Sequence, residues 1–277
     1  MQKLLFFDID GTLWDHDSRI PDSTVSSLHA ARARGHRIFL NSGRSRGYIH
    51  APSLFQLGLS GIVSGDGTMI ELAPAGSFCD VDPQKNALLY FDERTSEQAQ
   101  ALVSLLRRHR FRAILEGREY LYIDREEFPG DPFVAHVAEG MGDRLLPIRG
   151  NEHRLAISKF SCDLALALDR EAGLEALARD FHPLVHSDEV IEFVPHGHTK
   201  ATGLRRVCEA LGVPVQDTVA FGDSANDVDM LRAAGCGVAM GNDHPETYAV
   251  ANLITAELAH DGIAKAMYQL GLIESPT

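Results

Sequence analysis

Apolar residues in this chain fall into short runs that stop on polar punctuation, and the runs come in two textures. Lys3 to Phe7 is an unbroken run ended by Asp8, which suits a strand buried on both faces. Pro21-Asp22-Ser23 signals a helix start, with Val25, Leu28 and Ala31 on one side and Gly35 at the C-terminal cap position. His36 to Leu40 predicts a second strand, running into Asn41-Ser42-Gly43-Arg44. A helix through Ile49 to Leu57, closed by Gly58, leads to a third strand at Gly61 to Ser64. This β-α-β-α-β order implies a parallel sheet with helices on both faces, because such crossovers are right-handed.

From about Pro83 the texture turns antiparallel. Ala87 to Phe91 predicts a strand, Ser96 to His109 a helix, and Arg112 to Glu116 with Tyr120 to Asp124 a strand pair around Gly117. Phe133 to Gly140 then reads as a helix, Leu155 to Ser161 as a strand and Arg170 to Phe181 as a helix. Leu184 to His186 and Val190 to Val194 form a hairpin around Asp188-Glu189. After Pro195 the first texture resumes. Thr199 caps a helix carrying Leu204, Val207, Cys208 and Leu211, which Gly212 stops. Thr218 to Phe221 is another buried strand; Ser224 caps a helix through Met230 and Leu231 that closes at Gly235, and Gly237 to Met240 is one more strand. The expected fold class is α/β, a doubly wound parallel sheet of Rossmann-like form with an inserted α+β cap domain. Its boundaries are 1–83 for the first part of the core, 84–190 for the insertion and 191–277 for the second part, with hinges at Asp82 to Gln84 and at Asp188 to Val190.

Composition narrows the function classes. The 277 residues are 44% hydrophobic and 23% charged, enough apolar surface for a core and no sign of wholesale disorder. A formal charge of −13 disfavours nucleic acid or an anionic membrane as the main partner. Cys79, Cys162, Cys208 and Cys236 are widely spaced and form no C-x-x-C pair, arguing for reduced thiols over a disulfide framework or a cysteine zinc site. No apolar stretch reaches membrane-span length, and Asp8 and Asp10 break the opening run at once, unlike a signal peptide. A cytoplasmic protein is expected, either a monomer or a weak homodimer.

Four polar stations follow predicted strands or open a helix: Asp8-Ile9-Asp10-Gly11-Thr12, Ser42-Gly43-Arg44, Lys200, and Gly222-Asp223-Ser224-Ala225-Asn226-Asp227. In an open parallel sheet the strand carboxyl ends share one edge, so these stations converge there. Cleaving a phosphate monoester needs an oxygen nucleophile, a proton for the leaving oxygen and positive charge on the phosphoryl group. Asp8 and Asp10, two apart at a strand end, point the same way; one can attack while the other manages the proton. Gathered carboxylates repel unless a cation sits among them, and Mg²⁺ is the hard, oxygen-preferring choice, with Asp223 completing its site. Lys200 offers a point charge, and Ser42 with the Gly43 amide offers neutral donors.

These motifs, in this order across the whole chain, resemble the haloacid dehalogenase superfamily, specifically Cof-type (subfamily IIB) phosphatases with a large cap between the second and third motifs. Met240-Gly241-Asn242 and Asp261-Gly262 are similar too. The resemblance implies that Asp8 is the nucleophile forming an aspartyl-phosphate and that Asp10 is general acid, then base. It implies Mg²⁺ held by the Asp8 carboxylate, the Asp10 carbonyl and Asp223. Phosphate contacts would come from the Ile9 and Gly43 main chain, Ser42, Lys200 and Asn226, and Asp227 would steady the metal's water shell or Lys200. The implied substrate is a small phosphorylated metabolite, a sugar phosphate first. Asp66, in Ser64-Gly65-Asp66-Gly67, departs from the family's asparagine and bears on substrate choice.

Each station alone has a blander account: a turn for Asp8 to Asp10 or Ser42-Gly43, solvated surface for Lys200, a capped helix start for Gly222 to Asp227. Together those accounts are hard to satisfy. His196 and His198 read as hinge or surface residues, Arg107, Arg108 and Arg110 as the wet end of a helix, and Trp14 as core packing or loop support. Tyr90, Phe91, Tyr120 and Tyr122 read as core of the inserted sheet. Rival functions are a phosphomutase or phosphotransferase, a phospho-aspartate signalling module resembling response-regulator receivers, and a non-catalytic metabolite-binding relative.

Overall fold

The computed structural model describes residues 2–73, Phe78, 85–242 and 244–274. In chain order the elements are β1 (Leu4–Phe7), α1 (Asp22–Ala33), β2 (Arg37–Asn41), α2 (Pro52–Phe55), β3 (Gly61–Ser64), β4 (Met69–Leu72) and β5 (Ala87–Phe91). There follow α3 (Ser96–His109), β6 (Arg112–Gly117), β7 (Leu121–Ile123), α4 (Pro132–Met141), β8 (Leu145–Pro147), β9 (Ile157–Asp163), α5 (Arg170–Leu177), β10 (Phe181–Val185) and β11 (Val190–Pro195). The last stretch is α6 (Lys200–Leu211), β12 (Thr218–Gly222), α7 (Val228–Ala233), β13 (Cys236–Ala239), α8 (Pro245–Tyr248), β14 (Leu253–Ile254) and α9 (Gly262–Gln269). Two units result: residues 1–43, 50–90 and 198–277, and residues 44–49 and 91–197.

The first unit holds an eight-stranded sheet in the order β14-β13-β12-β1-β2-β3-β4-β5, parallel from β14 to β3. Leu4, Phe6, Phe39, Val63 and Ile70 meet Leu204, Val207 and Cys208 of α6 and Met230 and Leu231 of α7 in one buried cluster. The Phe6 and Phe39 rings stack at 5.0 Å, and each large side chain so buried stabilises the fold by roughly 1.5–3 kcal/mol. The doubly wound expectation for this unit holds, and α6 begins and ends as its sequence signals: Thr199 and Thr202 form a reciprocal cap, and Gly212 adopts φ +63°.

The second unit is a six-stranded sheet ordered β10-β11-β9-β6-β7-β8, antiparallel except for the β7 and β8 pair. Its main core joins Ala99, Leu102, Val103 and Leu106 of α3 to Leu115, Phe160, Cys162 and Phe193 of the strands. Buried Arg112 ion-pairs with Asp131 and Asp163, and buried Lys159 pairs with Glu192.

Several expectations shift. β5, expected in the insertion, is the edge strand of the first sheet, and Tyr90 packs on the first core. Tyr122 is buried in the second core, whereas Tyr120 is exposed. The return at residue 191 moves to the Gly197 and His198 junction, because β11 spends its hydrogen bonds on β9 and β10. Asp188 to Val190 is therefore the turn of a hairpin inside the second unit, where Leu164 N–H donates to the Glu189 carbonyl, and not a connection between units. The other hinge, Asp82 to Gln84, lies outside the described residues. The helix expected through Ile49 to Leu57 is only α2 after a single 3₁₀ turn, since Pro52 holds Ala51 extended and forces a restart. α5 stops at Leu177, and Phe181 opens β10.

Candidate active site

Register builds the site. Phe7 stands opposite both Phe221 of β12 and Leu40 of β2, so Asp8 falls level with Gly222 and Asn41 across strand spacings of roughly 4.8 Å. Asp223 and Ser42 follow one residue further along at the same sheet edge, and Asp8 N–H continues the ladder to the Phe221 carbonyl at 3.0 Å. Below them the Phe7 and Phe221 rings stack at 4.5 Å, a stiff apolar floor.

Lys200 enters from the first turn of α6. Its ammonium lies 2.8 Å from Asp8 Oδ1 and 2.7 Å from Asp227 Oδ1, and donates to Asn226 Oδ1 at 3.2 Å. Asn41 Nδ2, at the end of β2, donates to the Lys200 carbonyl at 2.9 Å and fixes that turn. Asp8, Asp227 and Lys200 are all buried, so their charges interact in a medium far less screening than water. Burial pushes the Asp8 carboxyl up to about 8 against the opposing pull of Lys200, and Asp227 and Asp223 add to the rise. Burial also disfavours the Lys200 charge, but Asp227, Asp8 and Asp66 outweigh it and raise the ammonium above the usual lysine value.

Asp227 is fully engaged: its Oδ2 accepts from the Asp223 and Ser224 backbone N–H groups at 2.9 and 3.1 Å, while Oδ1 takes Lys200. Asp223 is oriented by the Thr12 hydroxyl at 2.8 Å, and burial pushes it up to about 6. Oxygens of Asp8, Asp223 and Asp227 lie within 4.8 Å of one another. With Asp227 held by Lys200 and the backbone, Asp8 and Asp223 are left to face a cation, an all-oxygen donor set that fits a hard divalent ion such as Mg²⁺. Gly11, at φ +75°, is the residue that permits this crowding, since a Cβ there would sit 2.3 Å from Asp223 Oδ2.

The other expected residues gather at the same edge. A Cβ on Gly43 would lie 3.3 Å from Asp66 Oδ2 and 3.5 Å from Asn226 Nδ2, which places Ser42-Gly43, Asp66 and Asn226 together. Asp66 N–H donates to the Ser42 carbonyl at 3.1 Å from a left-handed φ of 54°. The Ile9 carbonyl accepts the Leu13 and Trp14 N–H groups, which folds the loop after β1. Asp10 is the exposed member of the pair, its Oδ1 accepting the Trp14 indole N–H at 2.9 Å. Neither His196 nor His198 joins this cluster: His196 bonds the Ala178 carbonyl, and His198 bonds the Tyr90 hydroxyl at 2.9 Å.

The family model of the haloacid dehalogenase-like hydrolases matches residues 5–267, a span that contains every one of these stations. The chain belongs to that family. Among curated members, this hydrolase is 30% identical over 273 residues to YkrA of Bacillus subtilis (strain 168), whose name as a phosphatase is provisional, covering 98% of this chain and 99% of that one. It is 29% identical over 255 residues to the HMP-PP phosphatase of Yersinia pestis (strain Pestoides F), covering 89% and 86%. Among solved structures it matches a hypothetical protein from Geobacillus kaustophilus HTA426 with a TM-score of 0.82 and 26% identity, over 99% of this chain and 100% of that one. The subclass IIB sugar phosphatase BT4131 matches with a TM-score of 0.75 and 25% identity, over 98% and 100%. No helix among the described residues is long and apolar enough to cross a membrane.

From sequence, Thr12 and Asn41 have no role of their own and Trp14 only core packing or loop support, not a bond to Asp10. Thr12 closes the first station, Trp14 lies two residues past it, and Asn41 sits directly before Ser42. Adjacency to a motif was the available signal, but their hydrogen-bond partners come from residues up to 211 positions away.

Proposed function

We propose that this hydrolase is a Mg²⁺-dependent phosphatase of small phosphorylated metabolites, acting through an aspartyl-phosphate on Asp8, with a sugar phosphate as the first candidate substrate. The observation that carries the proposal is the buried Lys200 ammonium set between Asp8 and Asp227, with Asp223 beside them. A structural ion pair needs one carboxylate for one ammonium. Three buried acids around one lysine make sense when a cation and an anionic substrate join them.

In this reading an Asp8 carboxylate oxygen attacks phosphorus as the bond to the leaving oxygen breaks, and Asp10 supplies the proton that makes the leaving group a neutral alcohol. Asp10 then takes a proton from the water that hydrolyses the aspartyl-phosphate. Lys200 holds a phosphoryl oxygen, joined by Ser42, the Gly43 and Ile9 main chain and Asn226. Asp227 keeps Lys200 in place. Mg²⁺, held by Asp8, Asp223 and the Asp10 carbonyl, supplies positive charge to the phosphoryl oxygens. The second unit, residues 91–197 for most of its length, is proposed as the cap that selects the leaving group.

A second reading, cleavage of an organic pyrophosphate, is favoured by the Yersinia HMP-PP phosphatases among the relatives. A phosphate-release screen with Mg²⁺ over sugar phosphates, polyol phosphates, nucleotides and HMP-PP separates the two. Release from hexose phosphates above all others supports the first reading, and preference for HMP-PP supports the second. No release from any member, by protein shown to be folded, overturns both.

A further inference from the structure

Trp14 is the only tryptophan in the chain, and its place in the loop after β1 is specific. Leu13 and Trp14 both donate their N–H groups to the Ile9 carbonyl, at 2.9 and 3.1 Å, while Gly11 N–H donates back to the Trp14 carbonyl at 3.1 Å. An isolated bridge pairs Asp10 with Trp14 across this turn. The result lays the indole against the carboxylate two residues past Asp8, with Nε1–H donating to Asp10 Oδ1 at 2.9 Å. Trp14 is 4% exposed, whereas Asp10 is open to solvent. A rigid, buried donor thus grips one oxygen of an exposed acid.

The chemistry of the two groups gives the grip a consequence. An indole is a donor only, and a protonated carboxyl carries one O–H. With Oδ1 accepting from Trp14, the acidic proton of Asp10 belongs on Oδ2. We infer that Trp14 is a positioning residue: it fixes the Asp10 rotamer and assigns the proton to Oδ2, so that the leaving oxygen meets the acid in one orientation. This rests on the phosphatase reading and deepens it. In the step concerned, the bond from Asp8 to phosphorus forms and the bond from phosphorus to the leaving oxygen breaks. The electron pair stays on the leaving oxygen, which takes the Oδ2 proton, and Asp10 is left as a carboxylate. No further reactant is needed.

Dependence on that proton varies with the leaving group. An alkoxide is strongly basic and needs it, while p-nitrophenolate departs without it. The test compares kcat/KM, which ends with leaving-group departure, for the best alkyl phosphate of the screen and for p-nitrophenyl phosphate. The expected result for Trp14→Phe is a fall of about 10²-fold in the ratio of alkyl to p-nitrophenyl kcat/KM, the scale of a misplaced catalytic group. Should the phenylalanine loosen the loop, replacing tryptophan throughout by benzothienylalanine changes this one side chain, keeps its shape and removes the N–H. That variant must show the same selective fall. An unchanged ratio in both variants overturns the inference while leaving the phosphatase reading intact. A wild-type protein that is folded yet inactive on both substrates overturns that reading, and this one with it.

Discussion

Asp8 sits where a buried ammonium holds one of its oxygens, and removing its charge tests the nucleophile directly. Asp8→Asn is expected to lower phosphate release by at least about 10³-fold while the fold persists, since nucleophilic roles are not replaced by a neutral amide. Wild-type turnover in that variant, measured by phosphate release, would remove Asp8 from the mechanism. Protonation gives an independent handle. In the metal-free protein Asp8 is raised from 3.8 to about 8 and Asp223 from 3.8 to about 6, so the folded state binds more protons than the unfolded chain across that interval. Stability must then fall as pH rises from about 4 toward about 8, by the linkage between proton uptake and folding. Thermal midpoints recorded in EDTA should decline across this window, less steeply in Asp8→Asn, and Mg²⁺ should flatten the slope by neutralising the same carboxylates. An equal slope in wild type and variant would show that Asp8 is not the source.

At the scale of elements, two local devices carry the site. α6 presents Lys200 in its first turn, and Thr199 caps that turn through the Thr202 N–H at 3.2 Å. Thr199→Ala should cost about 1 kcal/mol of stability, read as a lower denaturant midpoint, and should weaken substrate binding because the turn that carries Lys200 frays. The loop after β1 depends on Gly11 at φ +75°. Gly11→Ala forces a Cβ against the Asp223 carboxylate in a backbone region that L residues avoid, at a cost of about 1–3 kcal/mol. The Mg²⁺ requirement for phosphate release should rise in this variant, and an unchanged Mg²⁺ titration would argue that Asp223 does not face the ion. Element identity was readable where a cap or glycine marked an end, as with Gly35 after α1 and Gly212 after α6, both at positive φ. It failed at α2, where the apolar spacing suggested a longer helix than Pro52 allows, and at β5, whose strand character was evident but whose sheet was not.

For the whole molecule, the proposal divides labour between the two units, chemistry in the first and leaving-group choice in the second. A chimaera in which residues 91–197 come from a relative of different specificity should follow the donor's substrate preference while retaining the Mg²⁺ requirement. Retention of the original preference, measured across the same phosphate screen, would place selection elsewhere. Within the second unit, Lys159 is 2% exposed and paired with Glu192, with Glu116 at 3.9 Å. Lys159→Ala removes the cation between those carboxylates, leaving Glu116 to the Ser161 hydroxyl and Glu192 to His186, and should lower the unfolding midpoint.

The sequence by itself determined the doubly wound core, the strand ends and the four polar stations, because buried runs, caps and punctuating residues are local and each leaves its mark on neighbouring positions. Tertiary structure alone decided which side chains meet. Register aligned Phe7 with Phe221 and Leu40, which set Asp8 level with Gly222 and Asn41 and put Asp223 and Ser42 one residue beyond it at the same edge. Packing buried Lys200 between Asp8 and Asp227 and put the Trp14 indole on Asp10. It also assigned β5 to the first sheet and β11 to the second. Apart from the Trp14 contact, which joins residues four apart within one turn, these outcomes depend on hydrogen bonds and charges acting through space between residues distant in the chain, and no spacing along the sequence encodes such pairings.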